Sequence, residues 1–116
     1  MVREITYHKY HFFEFYQKQT QKVQDKIDYV LELIEQVERV PKNYLKYLEG
    51  TDGLYEVRVQ VGNNIFRIFS FFDEGKLVVL INGFQKKTEK TPKDEIKKAE
   101  KLKKEYFEEK HKKQPK

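Results

Sequence analysis

The chain has 116 residues, no cysteine, a formal net charge of +5 and a charged fraction of 37%. This length fits one domain with a modest core, and the basic surplus suits a nucleic acid or an acidic partner. The composition excludes disulfides and cysteine-based metal sites, the histidines show no metal-site spacing, and no apolar run approaches the ~20 residues of a membrane span. We therefore expect a soluble, cytoplasmic protein without a cofactor or a metal.

The N-terminal third is predicted to form one strand and two helices. The strand covers residues 2–7, with Ile5 and Tyr7 facing the core. A helix rich in aromatic residues follows at 11–18, and a second helix runs from Gln21 to about Arg39. The apolar residues of the second helix recur with a 3.6-residue period along one stripe, so the two helices are predicted to pack as a hairpin on a sheet.

A short connector follows the second helix. Pro41 ends that helix because the residue before a proline resists the α conformation. Residues 43–48 are then predicted to form one or two helical turns, which place Tyr44, Leu45 and Leu48 towards the core.

The middle of the chain is predicted to form a three-strand meander at residues 54–61, 64–72 and 77–84. Gly62 and Asn63 tolerate positive φ and can form a two-residue turn between the first two strands. The register that this turn sets makes one face of the hairpin almost entirely apolar, which favours it over a one-residue slip. The third strand is apolar throughout, which is typical of a strand covered on both faces.

The C-terminal part is predicted to form one helix, with Thr91 as its N-cap and an end near Glu109. Residues 1–109 then form a single domain, and residues 110–116 are predicted to be a disordered basic tail. The element order indicates an α+β fold, in which an N-terminal strand and a helical hairpin pack on a mostly antiparallel sheet and a C-terminal helix follows. We expect the long helices to cover one face and the other face to stay partly open.

Two arginines mark the predicted open face. The hairpin register places Arg58 directly opposite Arg67, and like charges so placed destabilise a sheet by about 0.2–1 kcal/mol. A sheet that binds a polyanion would keep such a pair, because guanidinium groups bind phosphate with two parallel hydrogen bonds. The alternative is that both side chains are solvated, with Glu56 as a neighbouring partner.

Lys86 and Lys87 follow the last strand and are candidates to join the arginines. Several fixed cations on a rigid sheet can position an RNA backbone. They can also stabilise the charge that develops when a 2′-hydroxyl attacks the neighbouring phosphate. The general base stays open: Glu56, Tyr55, Tyr106 and a lysine whose pKa is lowered by crowding are the candidates.

Five segments of the chain carry a resemblance to a known family. The segments are Leu48–Arg58 (LEGTDGLYEVR), Phe66–Phe69 (FRIF), Asn82–Thr88 (NGFQKKT), Thr91-Pro92 and Ile96–Ala99 (IKKA). Together they resemble the RelE/ParE toxin superfamily of type II toxin–antitoxin systems, and most closely its HigB-like, phage-derived branch. The resemblance implies a small α+β domain with an antiparallel sheet, in agreement with the fold predicted from the residues.

The resemblance also implies an activity. RelE-like and HigB-like members cut messenger RNA in the ribosomal A site, and an antitoxin holds them inactive. By resemblance, Arg58 and Arg67 lie on the strands that carry the phosphate-binding residues, and Lys86 and Lys87 match the basic pair after the last strand. These four are the predicted catalytic residues of a metal-independent endoribonuclease, and with Lys90 they are its predicted RNA-binding residues.

The implied partners are mRNA, the ribosome and a cognate antitoxin of the helix-turn-helix type, and no membrane. Two alternatives stay open: a ParE-like inhibitor of DNA gyrase, and a non-catalytic module that only binds its antitoxin. Some RNA-cleaving members use a tyrosine or histidine near the C-terminus. Here Tyr106 and His111 are the candidates, and neither lies in a clear motif.

Overall fold

The computed structural model describes residues 1–113 and has the predicted α+β architecture. The elements are β1 (Glu4–Tyr7), α1 (His11–Gln17), α2 (Gln21–Gln36), β2 (Leu45–Tyr47), β3 (Tyr55–Val61), β4 (Asn64–Asp73), β5 (Leu77–Lys86) and α3 (Lys93–Lys113). Of the predicted C-terminal tail, residues 114–116 lie outside the described part. Within that part, no helix is both long and apolar enough to cross a membrane.

The strands form one sheet in the order β1-β5-β4-β3-β2. Only β1 and β5 pair in parallel, and the other neighbours are antiparallel. The predicted meander is therefore confirmed, and β5 has a neighbour on each side.

The predicted register of the β3–β4 hairpin is also confirmed. Gly62 has a φ of +59°, which suits the two-residue turn. The pairs across the hairpin are Val61 with Asn64, Val59 with Phe66, and Val57 with Ile68.

Residues 43–48 do not form the predicted helical turns. The chain makes a single turn in which the amides of Tyr44 and Leu45 donate to the Pro41 carbonyl, and then continues as the edge strand β2. Pairing with β3 decides this outcome, because the ladder satisfies backbone groups that isolated turns would leave to water. Tyr44 and Leu45 still pack inward, whereas Leu48 packs on the opposite face of the sheet.

Helices α1 and α2 cover one face, where Phe12, Phe15, Ile27 and other apolar residues form the first core. Thr20 caps α2 by accepting a hydrogen bond from the amide of Val23. The helix ends at Gln36, earlier than predicted. The Arg3 guanidinium donates to the carbonyls of Ile34, Val37 and Glu38. These carbonyls therefore have a hydrogen-bond partner without a further helical turn.

Tyr7 was predicted to face the core, but the residue is 49% exposed. It lies at the end of the edge strand β1, where the ring of Phe13 packs against it, with the two centroids 4.4 Å apart. Ile5 does pack against the first core, as predicted.

Helix α3 packs on the opposite face, so the prediction that the long helices share one face was wrong. Ala99 and Leu102 contact Leu54, Phe69 and other residues of a second core there. The helix also extends to Lys113, four residues into the predicted tail. Lys110 accounts for this extension, because its ammonium lies 2.9 Å from a carboxylate oxygen of Asp73, at the end of β4, and 2.9 Å from one of Glu74, in the β4–β5 turn.

Candidate anion-binding site

Arg58 and Arg67 face each other across the β3–β4 ladder, as predicted. Arg67 shares its side of β4 with Phe69 and Phe71, so the pair lies on the face that carries α3. Helix α3 packs on β5 and β4 on this face. The Arg67 residue is 6% exposed and the Arg58 side chain is 26% exposed. The arginines therefore form a partly enclosed site and not the open surface that the sequence predicted.

Glu56 lies beside both guanidinium groups and is itself only 4% exposed. Its two carboxylate oxygens are divided between the arginines: Oε1 lies 4.0 Å from Arg58 Nε, and Oε2 lies 3.8 Å from Arg67 Nε. Thr91 donates a 2.9 Å hydrogen bond to Oε2. Thr91 was predicted to cap α3, but its hydroxyl turns to Glu56 and the helix begins at Lys93.

The Nε–H groups of both arginines are buried and have no hydrogen-bond partner among the described residues. A buried donor without an acceptor costs about 1–3 kcal/mol, and more when it is charged. Arg67 uses only Nη1, which donates to the carbonyl of Phe66 at 3.1 Å. Beside the pair is a pocket of about 160 Å³ lined by Asn43, Arg58, Val59, Gln60 and Arg67. An anion in this pocket would lie beside both guanidinium groups.

A β-bulge in β5 brings Lys86 to the same face. Ile68 pairs with Gly83 but Ser70 pairs with Leu80, so one residue of β4 lies opposite two of β5. Residues on β5 alternate between faces, and one extra residue reverses the alternation that follows it. Phe84 therefore joins the second core, and Lys86, two residues later, points to the arginine side.

The electrostatics of the site follow from this crowding. Burial first, and then the charge of Arg58, lowers the pKa of Arg67 below its ordinary value, although Glu56 opposes the shift. Burial also lowers the pKa of Lys86, and the charges of Arg67 and Arg58 act in the same direction. A lowered lysine pKa increases the fraction of neutral amine at a given pH, and a neutral amine can accept a proton.

Lys87 and Lys90 do not join Arg58, Arg67 and Lys86 in the site. Both are exposed and lie in the loop between β5 and α3. Across residues 1–113, neither side chain takes part in an ion pair or a side-chain hydrogen bond.

The structure separates the other candidates for the general base. Tyr55 has the same orientation as Val57 and so lies on the α1/α2 face, away from the arginines. Tyr106 donates to Asp73 at 2.8 Å, and burial together with this bond raises the pKa of the tyrosine. His111 is exposed near the end of α3. Only Glu56 and Lys86 remain within the site.

Three residues of the site were missed by the sequence analysis: Thr91, Asn43 and Gln60. Gln60 follows Arg58 at a spacing of two residues on β3, and the alternation of the strand predicts the same face for both, but Gln60 was not named as a site residue. Asn43 and Thr91 lie outside regular elements, and only the folded chain brings them to the arginines.

A second cluster of titratable groups lies at the other end of α3. His8 Nε2 is 2.8 Å and Lys9 Nζ is 2.7 Å from Glu105 Oε1, and Glu109 Oε2 lies 3.4 Å from the same ammonium. His8, Glu105 and Glu109 could together offer three ligand atoms to a metal ion. However, the Lys9 ammonium already supplies a cation there, and the cluster ties the β1–α1 turn to α3.

Comparisons with known proteins agree with the fold. A comparison with curated proteins gives no match. A chain in the crystal structure of the archaeal RelE–RelB complex from Pyrococcus horikoshii OT3 superposes with a TM-score of 0.52 at 20% identity, and the match covers 72% of this chain and 93% of that one. The model of the family described as "Phage derived protein Gp49-like" matches residues 14–104. This chain therefore belongs to the Gp49-like phage-derived family, a RelE/HigB-type family of toxin–antitoxin toxins.

Proposed function

We propose that this toxin inhibits translation by cutting mRNA on the ribosome, as a metal-independent endoribonuclease. The observation that carries the proposal is the pair of facing arginines, whose buried Nε–H groups have no acceptor among the described residues. A phosphodiester supplies acceptor oxygens and a negative charge, and guanidinium groups bind it with short, charge-assisted hydrogen bonds.

The role of each residue in the proposed reaction follows from its position. Arg58 and Arg67 bind the scissile phosphate and stabilise the charge that builds up on its oxygens in the transition state. Lys86, as the neutral amine, accepts the proton of the attacking 2′-hydroxyl; the 2′-oxygen–phosphorus bond forms, and the bond from phosphorus to the 5′-oxygen breaks. The departing 5′-oxygen takes a proton from water. Lys87 and Lys90, which are exposed beside the site, contact neighbouring phosphates.

An antitoxin is the second expected partner. The structure of similar fold is named as a RelE–RelB complex, and a site with three buried or half-buried cations suits an acidic segment that covers it. We expect this antitoxin to be the product of a short neighbouring reading frame, with a helix-turn-helix domain. Co-purification of the two products, and loss of toxicity on co-expression, test this expectation.

The test of the nuclease is cleavage of a reporter mRNA in a cell-free translation reaction, with cut sites mapped by primer extension. A parallel reaction lacks ribosomes. We expect cuts only on translated message. The variant Arg67→Met should lower the cleavage rate by about 10²–10³-fold, which is typical for the loss of one preorganised donor to a developing oxyanion.

Lys97→Met is the matched control, because Lys97 is exposed on α3 and lies outside the site. Cleavage by Arg67→Met at the rate of the unchanged protein would refute the assigned roles. If the message stays intact while expression in cells still arrests growth, the ParE-like alternative, inhibition of DNA gyrase, becomes the working hypothesis. If neither occurs with a folded protein, the chain is a module that only binds its antitoxin.

A further inference from the structure

A buried carboxylate at the centre of an anion site works against binding. Glu56 reduces the positive charge that Arg58, Arg67 and Lys86 would otherwise present to a phosphate. It is also held in place, since the residue is only 4% exposed. A site selected only for affinity would not contain it, so its presence requires another role.

The distances indicate that role. Glu56 approaches both arginines at Nε, at 3.8 Å and 4.0 Å. These separations are within ion-pair range but too long for hydrogen bonds. The carboxylate thus holds the two like-charged groups together and leaves both Nε–H donors unused. Two arginines directly opposite each other on neighbouring strands repel. The negative charge of Glu56 between them reduces this repulsion.

Thr91 fixes the carboxylate in turn. Its 2.9 Å hydrogen bond to Oε2 is the one side-chain hydrogen bond of Glu56 among residues 1–113. Oε2 is also the oxygen nearer to Arg67. Thr91 lies at the end of the loop that carries Lys87 and Lys90, so the same bond ties this loop to the arginines.

We propose that Glu56 and Thr91 are positioning residues, which hold the guanidinium groups of the facing Arg58 and Arg67 side by side, with their Nε–H groups free for a phosphate. The effect of this arrangement on cleavage rests on the proposed function. The arrangement itself is a property of the free protein and is measurable without substrate.

The deciding variants are Thr91→Val and Thr91→Ser. Valine has the shape of threonine without the hydroxyl, and serine keeps the hydroxyl. The direct change, Glu56→Gln, risks the fold because it leaves two partly buried guanidinium groups without a counter-charge. Thr88→Val is the matched control, because it removes a hydroxyl in the same loop that donates to the carbonyl of Lys90 and not to Glu56.

The first readout is hydrogen exchange of the arginine Nε–H groups with solvent, followed by ¹⁵N NMR in the absence of RNA. In Thr91→Val we expect faster exchange at the Nε–H of Arg67, by about tenfold, because Glu56 Oε2, which lies 3.8 Å from Arg67 Nε, loses the hydrogen bond that fixes it. Exchange at Arg58, which faces the other oxygen, should change less. Thr91→Ser should restore the slow exchange, and Thr88→Val should not alter it. Equal exchange in the Thr91→Val variant and the unchanged protein would overturn the proposal.

The second readout is the cleavage reaction described above, separated into kcat and KM. Positioning of the arginines predicts that Thr91→Val lowers kcat by about tenfold, in line with the loss of one hydrogen bond to a charged group, with Thr91→Ser restoring it. Faster exchange in Thr91→Val with an unchanged kcat would overturn the catalytic half of the proposal. If the unchanged protein cuts no message at all, the proposed function fails, and the exchange rates still decide whether Glu56 and Thr91 position the arginines.

Discussion

Replacing Arg67 by methionine should stabilise the protein while lowering the rate of the proposed mRNA cleavage. Arg58, Glu56 and Arg67 form a triad with one surplus positive charge, and the lowered pKa of Arg67 means that the folded state disfavours this charge. Methionine has nearly the length of the arginine stem and no charge, so Arg67→Met leaves Glu56 and Arg58 as a neutral pair. Replacement of buried ionic triads by apolar residues is often neutral or stabilising.

Removal of the unpaired Nε–H of Arg67 stabilises the variant and loss of its ion pair with Glu56 destabilises it, and we take these two effects to offset each other. Three further contributions then set the magnitude. Relief of the like-charge pair contributes about 0.2–1 kcal/mol. The lost hydrogen bond from Nη1 to the Phe66 carbonyl costs about 1 kcal/mol. Burial of the end of the methionine side chain in place of the guanidinium returns about the same amount. The free energy of unfolding should therefore rise by about 0.2–1 kcal/mol, and Tm by about 1–5 °C for a domain of this size.

The assay is urea unfolding, with Tm as a second measure. Arg39→Met is the control, since Arg39 is exposed and makes no ion pair among the described residues, and it should leave stability unchanged. The double variant Arg58→Met/Arg67→Met should instead lose about 3 kcal/mol, because Glu56 is then buried without either arginine. If Arg67→Met is less stable than the unchanged protein by about 1 kcal/mol or more, the size of an ordinary destabilising mutation, attraction to Glu56 outweighs burial and repulsion, and the reasoning is wrong.

Three further results follow from the same structure. Gly83→Ala should lower the free energy of unfolding by about 1–3 kcal/mol in urea, since the added Cβ would lie 2.6 Å from the Phe15 ring, and Phe15→Leu in the same chain should recover part of the loss. The pKa of Lys86, followed by ¹³C NMR, should be below the ordinary lysine value and should rise in Arg67→Met, because one of the charges that lowers it is removed. The ammonium of Lys9, and next His8, lower the pKa of Glu105 from 4.5 to about 2. Its contribution to stability should therefore be complete above about pH 4.5 and disappear as the pH falls towards 2. Urea unfolding of the unchanged protein and Glu105→Gln should differ by about 1 kcal/mol or less near neutral pH, because a third of the side chain is exposed, and should converge in acid.

Each of these results has an outcome that contradicts it. An unchanged stability of Gly83→Ala would mean that α1 lies further from β5 than the structure shows. If the pKa of Lys86 is the same in Arg67→Met and in the unchanged protein, the charge of Arg67 does not act on Lys86, and the lysine is not part of the site. A stability difference for Glu105→Gln that persists in strong acid would assign the effect to packing instead of charge.

Much of the fold could be predicted because its signals are local. The Gly62-Asn63 turn and the alternation of β3 and β4 fix the register, since a slip by one residue would turn every apolar side chain to the wrong face. That register is sufficient to place Arg58 opposite Arg67. The apolar stripe of α2 predicts its packing face for the same reason.

The prediction of residues 43–48 failed because the deciding interaction is not local. A short segment with tyrosine and leucine is compatible with helical turns or with a strand. The free edge of β3 decides for the strand, and the sequence of the segment does not contain that edge.

The sequence by itself determined the register of the hairpin and the pair of facing arginines, because both follow from a turn and a two-residue period. Only the tertiary structure decided that Lys86 joins them, because a bulge opposite β4 reverses the alternation of β5. It also decided that α3 packs on the arginine face and that Thr91 reaches Glu56, since both depend on contacts between segments far apart in the chain. Together these contacts convert two predicted surface arginines into a partly buried, positively charged site.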